Sequence, residues 1–491
     1  MNYRIAPATA LALAFVICHS SFVTAQGPLT PPGGPAPLMK TLDQVEPRIP
    51  IATNTTPGDG GAQFVITNAG SYYLTGNILG VGGKDGISIR SDNVTLDLNG
   101  FAMVGLSGGF SGSAIIVPGS FKNLCVRNGT IQGWGSTALL FFNAKASRLE
   151  RLQVSDSGGS GIYAGNDFTV SDCTSVSNGV YGIFVGIGSR VDGCIASYSQ
   201  TGISAGDKSS IAGSTCVANS AGGILAGDKV LLTGCTCTES GGYGIGLGDD
   251  CSASRCAGMN NGNTGIVAGK NGTFNDCRAS RNTASGFQVG DGAALTGCSA
   301  DNNLLTDGML CGEAATVQNC SSGYNGRHGF TAGKGSSLNN CSARNNTSEG
   351  FHVNYGVTLT GCTAAENVSH GFVAAASALI QNCNADANTG DGIRVFASSR
   401  VLDCSVSANG GTTNAGIHVT GGYNRIENNH LTFNANTGLK VDNGAVSNFI
   451  VRNSATQNAT AYSIAAGNRD AQVLAGGSGF ISTDPWANYA Y

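Results

Sequence analysis

The sequence predicts an all-β fold in which one chain coils into a solenoid of stacked parallel strands, a parallel β-helix. Three observations predict it: a repeat of mostly 21 residues, short strand-like segments inside each repeat, and 75 glycines among 491 residues. Segments of alternating polarity that are rich in Val, Ile, Thr and Phe are typical of strands. One repeat of this length cannot bury a core alone, so successive repeats are expected to stack.

The beginning of the chain has the features of an export signal. Arg4 precedes an apolar run from Ala6 to Cys18, and Ala25 ends a small-residue cleavage site. We therefore predict a signal peptide at 1–25, a Pro/Gly-rich linker and N-terminal cap at 26–59, the β-helix at 60–470 and a C-terminal cap at 471–491. No later run reaches the ~20 apolar residues that a membrane span needs. The expected location is extracellular or at the cell surface, with the periplasm as a further possibility.

A glycine followed by a bulky apolar residue marks each repeat, from Gly161 to Gly438. Twelve residues after the glycine there is usually a cysteine: Cys173, Cys194, Cys235, Cys256, Cys277, Cys298, Cys320, Cys341, Cys362, Cys383 and Cys404. Five residues further there is usually an asparagine: Asn178, Asn219, Asn261, Asn282, Asn303, Asn325, Asn346, Asn367, Asn388 and Asn409. Stacking predicts about fifteen turns in which equivalent side chains form ladders ~4.8 Å apart. Glycine and asparagine are expected at left-handed turn positions.

The cysteine ladder is predicted to consist of small, buried, reduced thiols. In-register side chains keep their Cβ atoms near the strand spacing, beyond the ~3.5 to 4.5 Å of a disulfide. Export favours oxidation, so disulfides involving Cys216 with Cys237, or the off-ladder Cys251 and Cys311, remain alternatives. The cysteines lack the paired C-x-x-C spacing of zinc sites. No metal and no cofactor are expected.

Both ends of the chain add a resemblance. The segments "MKTLDQVEPRIPI" (39–51), "NVTLDLNGF" (93–101) and "STDPWANYAY" (482–491) look like those of secreted bacterial right-handed parallel β-helix repeat proteins of the pectate-lyase-like superfamily. The resemblance implies a right-handed helix and export, and it implies no particular reaction.

One column of residues is a candidate site. The residue before the repeat glycine is Asp307, His328, Glu349, His370 and Asp391 in five successive repeats. As catalytic residues, these groups could perform general acid-base chemistry on a glycan. Two positions past the glycine, His352, Arg394 and His418 are candidate substrate-binding residues. Two alternatives stay open: a structural ladder in which acid and base alternate to avoid repulsion, and a metal site.

The function expected first is that of a secreted, non-catalytic cell-surface or matrix protein that binds glycans. The alternative is a polysaccharide-active lyase, epimerase or hydrolase that works on the outer face. The outward Tyr163 and Phe184 could stack on a sugar ring. A net charge of -4 without a basic cluster argues against nucleic acid as a partner.

Overall fold

A computed structural model describes residues 47–106, 112–476 and 483–491. The predicted signal peptide and the linker up to residue 46 lie outside the described residues. Within them the chain forms 57 strands and no helix. Almost every turn supplies one strand to each of three parallel sheets, here called sheets I, II and III. No helix of the described part is long and apolar enough to cross a membrane.

Sheet I follows the repeat glycine and contains nineteen strands. They are Ala62–Ile66, Asp85–Ile89, Ile115–Ile116, Leu139–Lys145, Ile162–Asn166, Tyr181–Val185, Thr201–Ala205, Gly222–Ala226, Tyr243–Leu247, Ile266–Ala268, Phe287–Val289, Met309–Cys311, Phe330–Ala332, Phe351–Val353, Phe372–Ala374, Ile393–Val395, Ala415–Val419, Thr437–Val441 and Thr460–Ile464.

Sheet II precedes the cysteine ladder. Its strands are Ile49–Pro50, Gly70–Tyr73, Val94–Asp97, Thr169–Ser171, Arg190–Asp192, Ser210–Ala212, Leu231–Thr233, Ser252–Ser254, Thr273–Asn275, Ala294–Thr296, Thr316–Gln318, Ser337–Asn339, Thr358–Thr360, Leu379–Gln381, Arg400–Leu402, Arg425–Glu427, Phe449–Val451 and Arg469–Asp470. The strands Cys125–Gln132 and Arg148–Ser155 run through sheets II and III.

Sheet III follows the cysteine ladder. Its strands are Ile78–Leu79, Ala102–Val104, Thr174–Val176, Ile195–Ser197, Thr215–Val217, Thr236–Thr238, Ala257–Met259, Arg278–Ser280, Ser299–Asp301, Ser321–Gly323, Ser342–Arg344, Thr363–Ala365, Asn384–Asp386, Ser405–Ser407, His430–Thr432, Ser454–Thr456, Val473–Ala475 and Asn488–Ala490. The last strand of the chain pairs with both Ser454–Thr456 and Val473–Ala475, so it lies between them.

The predicted fold is confirmed, with about twenty turns instead of about fifteen. The additional turns lie towards the ends, where the loops are longer and the cysteine is absent. Ile87, for example, pairs with Ile115, well beyond a 21-residue step. Spacing alone therefore did not reveal these turns.

The interior confirms the ladders of equivalent side chains. Phe330 and Phe351 stack at 4.9 Å between ring centroids, and Phe351 and Phe372 stack at 4.8 Å. In earlier turns the same position holds isoleucine, as in the register partners Ile203 and Ile224. Both arrangements exclude water, because all of these side chains are at most 1 % exposed.

A buried amide ladder follows sheet III. The Asn346 backbone N–H and Nδ2 both donate to Asn367 Oδ1, at 3.1 and 2.9 Å. The ladder is continuous from Asn261 to Asn458, whereas serine and asparagine alternate from Ser157 to Asn261. Glycine and asparagine do occupy left-handed turn positions, but the ladder asparagines themselves are not among them. The left-handed residue is the one before each ladder asparagine, such as Asn345 with φ 55°, since the asparagine itself uses its amide to join the turns.

The ladder also explains the repeat glycine. A Cβ on Gly350 would lie 2.8 Å from Asn367 Nδ2 and 2.8 Å from the Gly371 carbonyl oxygen. No real side chain tolerates such contacts with a buried amide and the backbone. Glycine is therefore required here by close approach of the next turn, because its φ is ordinary.

All sixteen cysteines of the described residues are free and buried. Cys216 and Cys237 are register partners in sheet III and still form no disulfide. The ladder thiols donate to backbone carbonyls, as Cys341 does to Asn339 at 3.4 Å. After Cys404 the position is taken by Asn429, which accepts the Cys404 N–H at 3.0 Å.

Candidate functional site

Sheet I presents one continuous line of outward side chains, which we call the outer column. The register places these residues above one another: Leu140, Tyr163, Phe184, Ser204, Leu225, Gly246, Val267, Gln288, Leu310, Thr331, His352, Val373, Arg394, His418 and Lys440. The predicted substrate-binding residues His352, Arg394 and His418 all belong to it.

The predicted catalytic residues form a second line, the turn column, at the start of sheet I. Backbone hydrogen bonds join its turns, for instance from Gly329 N–H to the Glu349 carbonyl and from Gly371 N–H to the Asp391 carbonyl, 3.0 and 2.9 Å. Asp307, the first residue of the turn column in chain order, is buried. Its carboxylate accepts the His328 backbone N–H at 3.3 Å. The turn column and the outer column meet in two side-chain clusters.

The first cluster, the His328 cluster, consists of His328, Glu349 and His352. Their potential ligand atoms all lie within 4.8 Å of one another. The imidazole rings of His328 and His352 stack at 4.8 Å between centroids. His328 Nδ1 is in direct ion-pair contact with Glu349 Oε2.

The electrostatics of the His328 cluster favour an ionised carboxylate. Burial raises the pKa of Glu349. Contact with His328 and the hydrogen bond from Ser348 outweigh burial and lower this pKa to about 2. Burial, and secondarily the charge of His328, lower the pKa of His352. At neutral pH the cluster therefore contains a carboxylate beside a neutral His352 imidazole.

The second cluster, the Asp391 cluster, joins two histidines through one buried carboxylate. Asp391 is 1 % exposed, and its backbone N–H donates to His370 Nδ1 at 2.7 Å. Its Oδ2 lies 2.9 Å from His418 Nδ1, and its Oδ1 accepts the Ala415 N–H at 2.7 Å. Burial opposes ionisation, but these partners lower the pKa of Asp391.

The two histidines of the Asp391 cluster respond in opposite directions. Burial, and then the charge of Arg394, lower the pKa of His370 against the attraction of Asp391. Because Nδ1 accepts a backbone N–H, neutral His370 carries its proton on Nε2. Arg394 Nη1 lies 3.4 Å from Nε2, and its positive charge disfavours a second proton on the ring.

Two carboxylates favour the charged form of His418. Its Nε2 lies 3.0 Å from Asp442 Oδ1, on the opposite side from Asp391. Burial opposes the charge, but Asp391 and Asp442 outweigh it and raise the pKa of His418. Asp442 did not emerge from the sequence. It follows Val441, two residues past Lys440 of the outer column, where the repeat has already lost its cysteine.

A groove of about 390 Å³ runs beside the His328 cluster. His352, Arg327, Leu310 and Thr331 line it. The Thr331 hydroxyl is buried without a hydrogen-bond partner. Groups on the outer face can therefore reach His352 from this groove.

A different surface lies near the beginning of the outer column in chain order. We call it the aromatic surface, and it is formed by Phe142, Tyr163, Tyr181 and Phe184. The Tyr163 and Phe184 rings stack at 4.3 Å with 14° between their planes. Tyr181 lies 5.3 Å from Phe184, and Phe142 lies 5.7 Å from Tyr163. Phe142 is 57 % exposed, and beside it lies a depression of about 480 Å³.

Sequence reasoning found only two of these rings, Tyr163 and Phe184. Phe142 lies in a turn that lacks the 21-residue repeat. Tyr181 occupies the turn column, far from the acidic and imidazole residues that the sequence singles out there. The signal that could have found them is aromatic residues at equivalent and adjacent positions of consecutive turns.

Comparison with known proteins agrees with this architecture. The family described as "Right handed beta helix region" matches residues 62–211, 188–312 and 308–478. The chain belongs to the right-handed β-helix family. A search of curated proteins gives no match.

Several solved structures are similar to parts of this chain. The Dettilon tailspike protein is 14 % identical with a TM-score of 0.37, and the match covers 66 % of this chain and 63 % of the tailspike, so this chain spans less than two thirds of its length. The A-module of a mannuronan C-5 epimerase from Azotobacter vinelandii is 14 % identical, with a TM-score of 0.23 and coverage of 82 % and 88 %. PfbA, a surface adhesin of Streptococcus pneumoniae, is 8 % identical, with a TM-score of 0.26 and coverage of 60 % and 82 %. These likenesses concern the fold alone.

Proposed function

We propose that this right-handed β-helix protein is exported and binds glycans without catalysis, through the aromatic surface of Phe142, Tyr163, Tyr181 and Phe184. The observation that carries the proposal is the contiguous group of four rings on the outer face. Export is supported by Arg4 and the apolar run from Ala6 to Cys18.

Phe142 is exposed and the other three rings are partly exposed. This exposure is otherwise unfavourable, because apolar area in contact with water costs free energy. A sugar ring presents an apolar face of C–H groups, and aromatic rings offer a matching flat surface with little conformational entropy to lose. The Tyr163 and Tyr181 hydroxyls add polar contacts to such a surface. Contiguous exposed apolar patches commonly mark interaction sites.

A glycan-binding experiment tests the proposal. The protein lacking residues 1–25 is applied to a panel of neutral and uronic-acid polysaccharides, and affinities for the best ligand are measured by calorimetry. Tyr163→Ala and Phe142→Ala should each weaken binding by about tenfold, the equivalent of one ring's contact. The matched control is Tyr198→Ala, which removes a 63 % exposed tyrosine outside the aromatic surface. The proposal fails if the panel gives no binding, or if Tyr163→Ala and Tyr198→Ala bind equally.

A polysaccharide-active enzyme is the second candidate, and the groove beside His352 favours it. The pKa values of Glu349 and Asp391 are lowered, so a proton donor would have to be an imidazole, while the neutral His352 or His370 could act as a base. The measurement is the formation of unsaturated products and reducing ends from the same panel. Activity that disappears in both Glu349→Ala and His370→Ala supports this candidate, and no product across the panel rejects it.

A further inference from the structure

We propose that His328, Glu349 and His352 form a binding site for a late first-row divalent metal ion such as Zn²⁺. The site lies many turns away from the aromatic surface and does not depend on the proposed glycan binding. Two imidazoles and one carboxylate, with ligand atoms within 4.8 Å of one another, constitute the site.

The ligand set selects the class of metal. Imidazole nitrogen together with one carboxylate suits Zn²⁺, Co²⁺ and similar ions, whereas Mg²⁺ and Ca²⁺ prefer ligand sets made entirely of oxygen. Two histidines and a glutamate are three protein ligands, which leaves a coordination position open. His352 lines the groove of about 390 Å³, so an exogenous ligand could reach that position.

A second observation is that the ligand groups are preassembled. His328 is 4 % exposed, and its Nδ1 contacts Glu349 Oε2. The His328 and His352 rings stack at 4.8 Å between centroids. The three ligand groups are therefore already held together before a metal ion enters the cluster.

The surroundings resemble the outer shell of a metal site. Ser348 Oγ donates to Glu349 Oε2 at 2.7 Å, which orients the carboxylate. His352 is exposed, so its ring can turn to shorten the distances to the other two ligands.

The Asp391 cluster serves as an internal contrast. His370 Nδ1 accepts a backbone N–H, and His418 Nδ1 lies at hydrogen-bond distance from Asp391. Among the described residues, only the His328 cluster brings three potential ligand atoms within 4.8 Å of one another. The structure therefore assigns the metal to the His328 cluster alone among these histidines.

The test uses the full mature chain without a histidine tag. Zn²⁺ binding is measured by calorimetry, and Co²⁺ binding by the visible absorption of a low-symmetry nitrogen and oxygen site. One ion should bind per chain. His352→Ala should weaken binding by at least about 100-fold, the upper range for losing even an outer-shell partner. Glu349→Gln should weaken it similarly.

His430→Ala is the matched control, since His430 is an exposed histidine on sheet III that contacts Ser454. It should bind Zn²⁺ like the unchanged protein. Because His352 is exposed, its alanine variant should fold, and circular dichroism with thermal unfolding checks this. Equal Zn²⁺ affinity in His352→Ala and the unchanged protein, or no measurable binding of either ion, overturns the proposal.

Discussion

The two halves of the outer column differ in chemistry although they share one backbone. From Leu140 to Val267 the outward residues are apolar, aromatic or small, whereas from Gln288 to Lys440 they include imidazole, guanidinium and ammonium groups. Parallel register continues through both halves without a change of sheet. The comparison teaches that in this solenoid the fold fixes spacing, while local substitutions decide what the surface binds.

The interiors of the two halves differ as well as their outer surfaces. Behind the aromatic surface the core position holds isoleucine and the amide ladder alternates with serine. Behind the His328 cluster the core holds stacked Phe330 and Phe351, and the asparagine ladder is unbroken. Buried ionic contacts require well-fixed geometry, and the charged half has the interior that fixes each turn against the next.

The largest effect on the free energy of unfolding is expected from replacing Asp391 in the charged half. Asp391→Ala removes the carboxylate between two histidines and leaves the His418 charge beside a cavity. Removal of one partner of a buried ion pair costs about 3 to 5 kcal/mol. The comparison variant is Phe142→Ala in the aromatic half, which should cost about 1 kcal/mol or less.

Urea unfolding and hydrogen exchange measure both variants, because a repeat protein can open in sections. Exchange in Asp391→Ala should accelerate in the turns around residues 370–440 and remain unchanged near Phe142. Equal stability of the two variants would show that the Asp391 cluster contributes nothing beyond packing.

The second effect is a dependence of stability on pH in the charged half. The folded pKa of Glu349 is about 2, below its ordinary 4.5. Its stabilisation is therefore complete above pH 4.5 and is lost as pH falls toward 2. Asp391 and Asp442 have lowered pKa values and act in the same direction. With its partial exposure considered, Glu349 should contribute about 2 kcal/mol.

Histidines modify this profile at higher pH. The raised pKa of His418 gives a stabilisation that is present below its usual 6.5 and is lost as pH rises through the folded value. The lowered pKa values of His352 and His370 act oppositely, since protonation below 6.5 favours unfolding.

Urea midpoints of the unchanged protein and Glu349→Gln test the contribution of Glu349. They should differ at pH 6 and converge towards pH 2. The exposed Glu366→Gln should follow the unchanged protein, and a constant difference for Glu349→Gln would contradict this prediction.

Periodicity predicted most of the fold because stacked turns repeat the same physical requirements. Gly350 needs the absence of a Cβ, Cys341 fits a tight buried position, and Asn346 must bridge turns, so each left a mark every 21 residues. The site was predicted as one column for the same reason. Its division into two clusters was not predictable, because it depends on side-chain directions and on Asp442, which lies outside the regular repeat.

The smallest effect concerns the amide ladder, whose residues differ between the two interiors. Ser240 occupies a ladder position, and its Oγ is buried without a partner. Ser240→Asn would extend the unbroken ladder by two turns, because Asn219 already occupies the preceding ladder position. One additional satisfied amide contributes about 1 kcal/mol. The reciprocal change, Asn346→Ser, should destabilise by at least as much, because Asn325 N–H and Nδ2 both donate to Asn346 Oδ1. Urea midpoints of the two variants should move in opposite directions. A loss of stability in both would show that the serine positions are fitted to their own turns, so that the two interiors are not interchangeable.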